Sequence, residues 1–112
     1  MTPAIGRDDL LQELRDIETA LSTAEVEDLV AQEDEPTRRQ FVALREQVTV
    51  EVGKLENARL EDIAAKLDQL APELNAGIAR TKQELKSVDN AIAIINAASG
   101  VVGLVARVAS LV

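Results

Sequence analysis

An all-α fold is predicted from three observations on this sequence. Leucine and other aliphatic residues recur at steps of three and four along most of the 112 residues, which is the spacing of one helix face. The polar–apolar alternation of a half-buried strand is limited to a short patch at residues 48–52. Only one residue is aromatic, so the core must be aliphatic. We predict a single helical domain over residues 1–112, an elongated antiparallel bundle or coiled coil completed by self-association.

The first of three predicted helices is acidic and spans residues 7–32, after a lead-in at residues 1–6. Its apolar seam has steps of four, three and four residues. The seam consists of Leu10, Leu14, Ile17 and Leu21. Ser22 and Glu25 have the spacing of a capping box, which would break this helix near residue 22 and make four helices in all. One continuous helix is the alternative, and the pattern does not decide between them.

Two prolines divide the rest of the chain. Pro36 suits the first turn of a second helix, predicted over residues 36–71. Pro72 either starts a third helix, over residues 73–112, or kinks one long helix. An unbroken helix from Pro36 to the end would measure about 115 Å, so we predict a turn near residues 70–77.

The C-terminal segment, residues 91–112, is the most apolar part of the chain and carries one charge, Arg107. Its polar and small residues follow one another at alternating steps of four and three, which predicts a helix with one narrow polar stripe. The stripe consists of Asp89, Ala93, Asn96, Gly100, Gly103, Arg107 and Ser110. A turn at Ser99-Gly100 is the alternative. The continuous stripe favours a helix in which Ser99 and Gly103 form a close-packing pair.

So much apolar surface must be covered by the other helices, by a protein partner or by a bilayer. We expect this segment to carry the interaction or insertion surface. The candidate residues are Ile92, Ile95, Asn96, Gly100, Val102, Gly103, Val105 and Arg107.

Composition argues against several functions. There are 20 acidic and 12 basic residues, and residues 1–36 alone hold 11 of the acidic ones, so nucleic-acid binding is not expected. The chain has no His, Cys, Tyr or Trp and no phosphate-binding glycine motif. We therefore expect no catalytic residues, metal, cofactor or small-molecule substrate. The lack of cysteine and of a secretory signal fits a cytoplasmic protein.

Two functions are consistent with these observations. The first is a non-catalytic helical interaction protein that buries its C-terminal helix in a homo-oligomer or against a helical protein partner. The alternative is a membrane-inserting protein, either a tail-anchored factor or a small pore component. The uncharged run at residues 90–106 would be about 25 Å long as a helix, against ~30 Å for a bilayer core. The basic residues Arg80, Lys82 and Lys86 would either pair with the acidic first helix or flank the membrane segment.

Overall fold

Five α-helices make up nearly all of residues 6–109, the part of the chain that the computed structural model describes. They are α1 (Arg7–Leu21), α2 (Ala24–Ala31), α3 (Glu35–Asn57), α4 (Leu60–Ser87) and α5 (Ala91–Ala109). No strand occurs in these residues, so the predicted all-α class is confirmed. The fold is compact rather than elongated, with extents of 43 × 29 × 19 Å and a radius of gyration of 14.0 Å. A compact chain of this length is expected to have a radius near 13 Å.

The acidic segment at residues 7–32 forms two helices, so the continuous alternative is wrong. The break lies at Ser22-Thr23, where the sequence placed it, but the cap is Thr23. Its Oγ1 accepts a hydrogen bond from Val26 N at 3.4 Å, while Ser22 Oγ donates to Glu18 O. The cap is thus one residue later than the capping box predicted.

α3 begins beside Pro36, as predicted. Asp34 is the N-cap, and its Oδ1 accepts a hydrogen bond from Thr37 N at 3.0 Å. Hydrogen bonding with Thr37, side chain first and then backbone, lowers the pKa of Asp34, and the charge of Arg38 adds to the effect. The cap therefore favours an ionised carboxylate at the positive end of the helix dipole.

The prediction of one helix over residues 36–71 is wrong, because α3 ends at Asn57 and α4 begins at Leu60. Ala58 and the residue after it have extended backbones, and Ala58 O accepts a hydrogen bond from Arg7 Nη1 at 2.9 Å. A helix over 36–71 would be about 54 Å long, more than the 43 Å length of the fold. The turn allows Leu55 and Ile63 to enter the same core.

The predicted turn near residues 70–77, and with it a third helix over 73–112, is also wrong. Pro72 lies inside α4, between the buried Leu70 and Leu74. Pro72 and Asp68 are both exposed, so water can satisfy the Asp68 carbonyl, which loses its helical hydrogen bond. The break comes instead between Ser87 and Ala91, the first residue of the apolar segment.

The five helices share one core of aliphatic side chains and Phe41. α1 runs antiparallel to α3: Arg7 contacts the residue after α3, and Glu18 Oε2 accepts a hydrogen bond from Thr49 Oγ1 at 2.6 Å. Lys82 of α4 forms a salt bridge with Glu13 of α1, which is the pairing predicted for one member of the basic cluster. α4 and α5 form an antiparallel hairpin that packs along α3 and α1.

Candidate helix-binding groove

α5 has a buried apolar face and a solvent-exposed polar face. Other helices of the chain, chiefly α4 and α3, cover the apolar face. The buried residues of α5 are Ala91, Ile94, Ile95, Ala97, Ala98, Val101, Val102, Val105 and Val108. The predicted polar stripe is exposed at Asp89, Asn96, Gly100, Gly103 and Arg107. Ala93 is half-buried, and Ser110 lies outside the described residues.

α5 continues through Ser99-Gly100, so the favoured helix is confirmed and the alternative turn is wrong. The close-packing role predicted for Ser99 and Gly103 is not used within the described part of the chain. A Cβ atom added to Gly100 or Gly103 would have no atom within 4 Å there, apart from its chain neighbours and the backbone of its own helix. The small residues of α5 therefore leave an open strip on the surface.

This strip forms one wall of an open groove between α3 and α5, with a volume of about 600 Å³. The groove is lined by Gln40, Ala43, Leu44, Gln47, Ile95, Asn96, Ser99, Val102, Gly103 and Ala106. None of these ten residues is charged, although 29% of the chain is. Small side chains let a second backbone approach closely, and the amides of Gln40, Gln47 and Asn96 can donate and accept hydrogen bonds.

A buried carboxylate orients one of these amides. Gln47 Nε2 donates to Glu51 Oε1 at 2.7 Å, and Lys54 Nζ lies 3.4 Å from the same oxygen. The Glu51 side chain is 0% exposed, and its Oε2 has no hydrogen-bond partner among the described residues. Burying such an oxygen lowers the free energy of unfolding. Glu51 therefore orients the Gln47 amide but destabilises the folded state.

The structure places four of the eight candidate residues along the groove: Ile95, Asn96, Val102 and Gly103. Val105 belongs to the core, whereas Ile92, Gly100 and Arg107 are exposed outside the groove lining. The wall of the groove that α3 supplies was not predicted from the sequence. Its residues were visible as an uncharged set at helical spacing: Gln40, Ala43, Leu44 and Gln47.

A second cleft, of about 880 Å³, lies where the end of α1 meets α3. It contains Glu18, Arg45 and Glu46, and the Arg45 guanidinium lies 5.5 Å from the centre of the Phe41 ring. In its lining the Thr49 hydroxyl donates a hydrogen bond to the Glu18 carboxylate, and the lining contains no His, Cys or Lys. Within residues 6–109, no group of three or more acidic side chains is arranged to hold a metal ion.

α5 is the one helix in the described part of the chain that is long and apolar enough to cross a membrane. It has 19 residues and a mean hydropathy of 1.9, and half of its apolar window is buried inside the fold. Core helices of soluble proteins have the same length and composition, so this is weak evidence for a span. No protein family, curated protein or solved structure matches this chain.

Proposed function

We propose that this chain is a non-catalytic helical interaction protein that works through α5, by binding a second helix in the groove between α3 and α5. The second helix comes from another copy of the chain or from a protein partner. The observation that carries the proposal is the uncharged lining of the groove, which includes the small residues Ala43, Ser99, Gly103 and Ala106, in a chain of which 29% is charged.

The dimensions of the groove fit a helix. Its α5 wall extends from Ile95 to Ala106, about 16 Å along the helix axis, or three turns. Packed helices lie 8–10 Å apart in general, and small residues at the contact favour the shorter distances. A neutral lining favours a partner helix with a neutral face, because an unpaired charge buried there would lose its hydration.

Filling the groove tests this proposal. Gly103→Leu places a bulky side chain in the α5 wall of the groove, whereas Gly100→Leu makes the same change on the same exposed face outside the lining. Both changes replace a helical glycine, so they affect helix propensity equally. We expect Gly103→Leu to weaken self-association about tenfold or more in sedimentation equilibrium, and Gly100→Leu to leave it unchanged. Equal effects of the two variants would rule out the groove as the binding surface.

Membrane insertion of α5 is the second candidate, favoured by its length and hydropathy. At about 28 Å, the helix nearly matches a bilayer core of ~30 Å. Insertion would require α5 to leave the bundle and expose the core that it now covers.

A removable cross-link between α4 and α5 tests insertion. A Cβ atom on Gly77 would lie 3.1 Å from Val101 Cγ2, so Gly77→Cys with Val101→Cys would tie the two helices together. If insertion occurs, liposome flotation should be lost when the pair is oxidised and return on reduction. Flotation that is the same for the oxidised and the reduced protein, or that persists when residues 91–112 are deleted, would contradict insertion of α5.

A further inference from the structure

The connection between α4 and α5 is short and strained. It consists of Val88, Asp89 and Asn90, and Val88 has φ 47° and ψ 47°. Val88 is the one non-glycine residue with positive φ among residues 6–109. A β-branched side chain crowds the following carbonyl in this left-handed conformation. The closed hairpin therefore requires a strained backbone conformation at Val88.

The sequence around the connection has the pattern of an unbroken helix. A seam of aliphatic residues and one buried threonine, with alternating steps of four and three, runs from α4 through the connection into α5. It consists of Leu74, Ile78, Thr81, Leu85, Val88, Ile92 and Ile95. Such a seam is typical of a straight helix that pairs with another helix along its length. The hairpin interrupts this seam and leaves one member, Ile92, 51% exposed.

Straightening the connection would remove both defects. Val88 would take helical φ and ψ, and Ile92 would lie on a continuous apolar seam. The joined helix, residues 60–109, would be about 75 Å long, so α5 could no longer pack on its own α4. In an antiparallel pair of such helices, α5 of each copy can occupy the position that the other copy's α5 has left. Gly77 of one copy then meets Val101 of the other, as they meet within the closed chain.

We propose that two copies of this chain exchange α5, by straightening at Val88 into a domain-swapped dimer paired along α4 and α5. The inference rests on the proposed role of α5 in helix association and identifies the partner as a second copy. Exchange keeps the buried contacts of α5 and relieves two strained hinges. Short strained connections of this kind favour exchange between identical chains.

Two substitutions at Val88 separate strain from packing. Val88→Gly and Val88→Ala both remove the isopropyl group, but only glycine adopts the left-handed conformation freely. Val88→Gly should therefore favour the closed monomer and raise the dimer dissociation constant about 100-fold, roughly tenfold for each hinge. Val88→Ala should leave the constant unchanged or lower it, because alanine favours the straight helix. Equal constants for the two variants would overturn the role of the hinge.

Ile92 provides a test of the seam. Ile92→Asp should abolish the dimer and leave the closed monomer folded, because the side chain is exposed only in the monomer. Leu60→Asp is the matched control, since Leu60 is 54% exposed at the other end of α4, outside the seam. A dimer that tolerates Ile92→Asp as well as Leu60→Asp would contradict pairing along the seam.

The cross-link between positions 77 and 101 distinguishes exchange from groove binding. The chain has no cysteine, so Gly77→Cys with Val101→Cys creates a unique pair. In a sample that light scattering identifies as dimeric, exchange predicts disulfides between chains on a non-reducing denaturing gel. Disulfides within chains only, in a dimer sensitive to Gly103→Leu, would overturn exchange and leave the groove proposal standing. A monomer at every concentration would overturn exchange, and would restrict groove binding to a separate protein partner.

Discussion

Three glycines of the α4–α5 hairpin, one packed between the helices and two exposed, allow the packing of the hairpin to be tested by stability measurements. Gly100 and Gly103 lie in the middle of α5 with open space where a Cβ atom would go, whereas a Cβ on Gly77 would lie 3.1 Å from Val101 Cγ2. We expect Gly100→Ala and Gly103→Ala each to raise the free energy of unfolding by about 1 kcal/mol, because alanine lowers the entropy of the unfolded chain. For a chain of this size, that corresponds to a rise in Tm of about 4 °C.

Gly77→Ala should behave differently. It has the same propensity gain, but 3.1 Å is well inside ordinary van der Waals contact, and crowding of a packed core typically costs about 1–3 kcal/mol. The net effect should lie between no change and a loss of about 2 kcal/mol. Urea unfolding followed by circular dichroism, at concentrations where the chain is monomeric, measures all three variants on one scale.

A gain of about 1 kcal/mol for Gly77→Ala, equal to that for Gly100→Ala, would mean that α4 and α5 do not approach as closely as described. A loss for Gly103→Ala would mean that another element covers the groove. The alanine variants are also a reference for the leucine variants that test the groove. Alanine measures the effect of replacing a helical glycine on stability without filling the groove.

Three further predictions concern the core and the cap of α3. Ile94→Ala should lower the free energy of unfolding by about 2–5 kcal/mol. Ile92→Ala, at an exposed site in the same helix, should change it by less than about 0.5 kcal/mol. Similar losses for the two variants in urea unfolding would contradict the described orientation of α5. Glu51→Met should raise stability by about 1–3 kcal/mol, since it removes a buried carboxylate oxygen that lacks a partner among the described residues; a loss of that size would reveal a partner for the carboxylate. Because folding lowers the pKa of Asp34, its stabilising effect is complete above the ordinary aspartate pKa and is lost as pH falls through the lowered value. Asp34→Asn keeps a capping side chain that does not titrate, so its unfolding midpoint should fall less than that of the wild-type chain on acidification below about pH 4. Identical pH profiles would show that ionisation of Asp34 does not contribute to stability.

The helical class and most core positions could be predicted from local periodicity. Leu10, Leu14, Ile17 and Leu21 are all buried, as their seam predicted. Asn96, Gly100, Gly103 and Arg107 of the polar stripe are exposed for the same reason, because side-chain spacing on a helix depends only on backbone geometry. The α5 wall of the groove followed from this stripe. The α3 wall did not, because nothing in residues 40–47 indicates which helix lies beside them.

Helix ends were the least predictable feature. Pro36 and Thr23 lie where local chemistry favours a boundary, and boundaries occur there. Ala58 and Arg59 carry no such chemistry, yet α3 ends beside them, because both Leu55 and Ile63 must reach one core. Pro72 also favours a boundary, but it lies inside α4, because its exposed position lets water replace the missing hydrogen bond.

By itself, the sequence determined that this protein is helical, which faces of its helices are apolar, and that residues 91–112 require cover. Only the tertiary structure decided that α2, α3 and α4 cover the described part of this segment, residues 91–109, within one chain, and that the chain turns back at Val88. The physical reason is that the periodicity of the sequence indicates which face of a helix is apolar, but not which residues cover that face. The apolar seam through Val88 is satisfied equally by a hairpin and by a second copy, and contacts distant in sequence select between them.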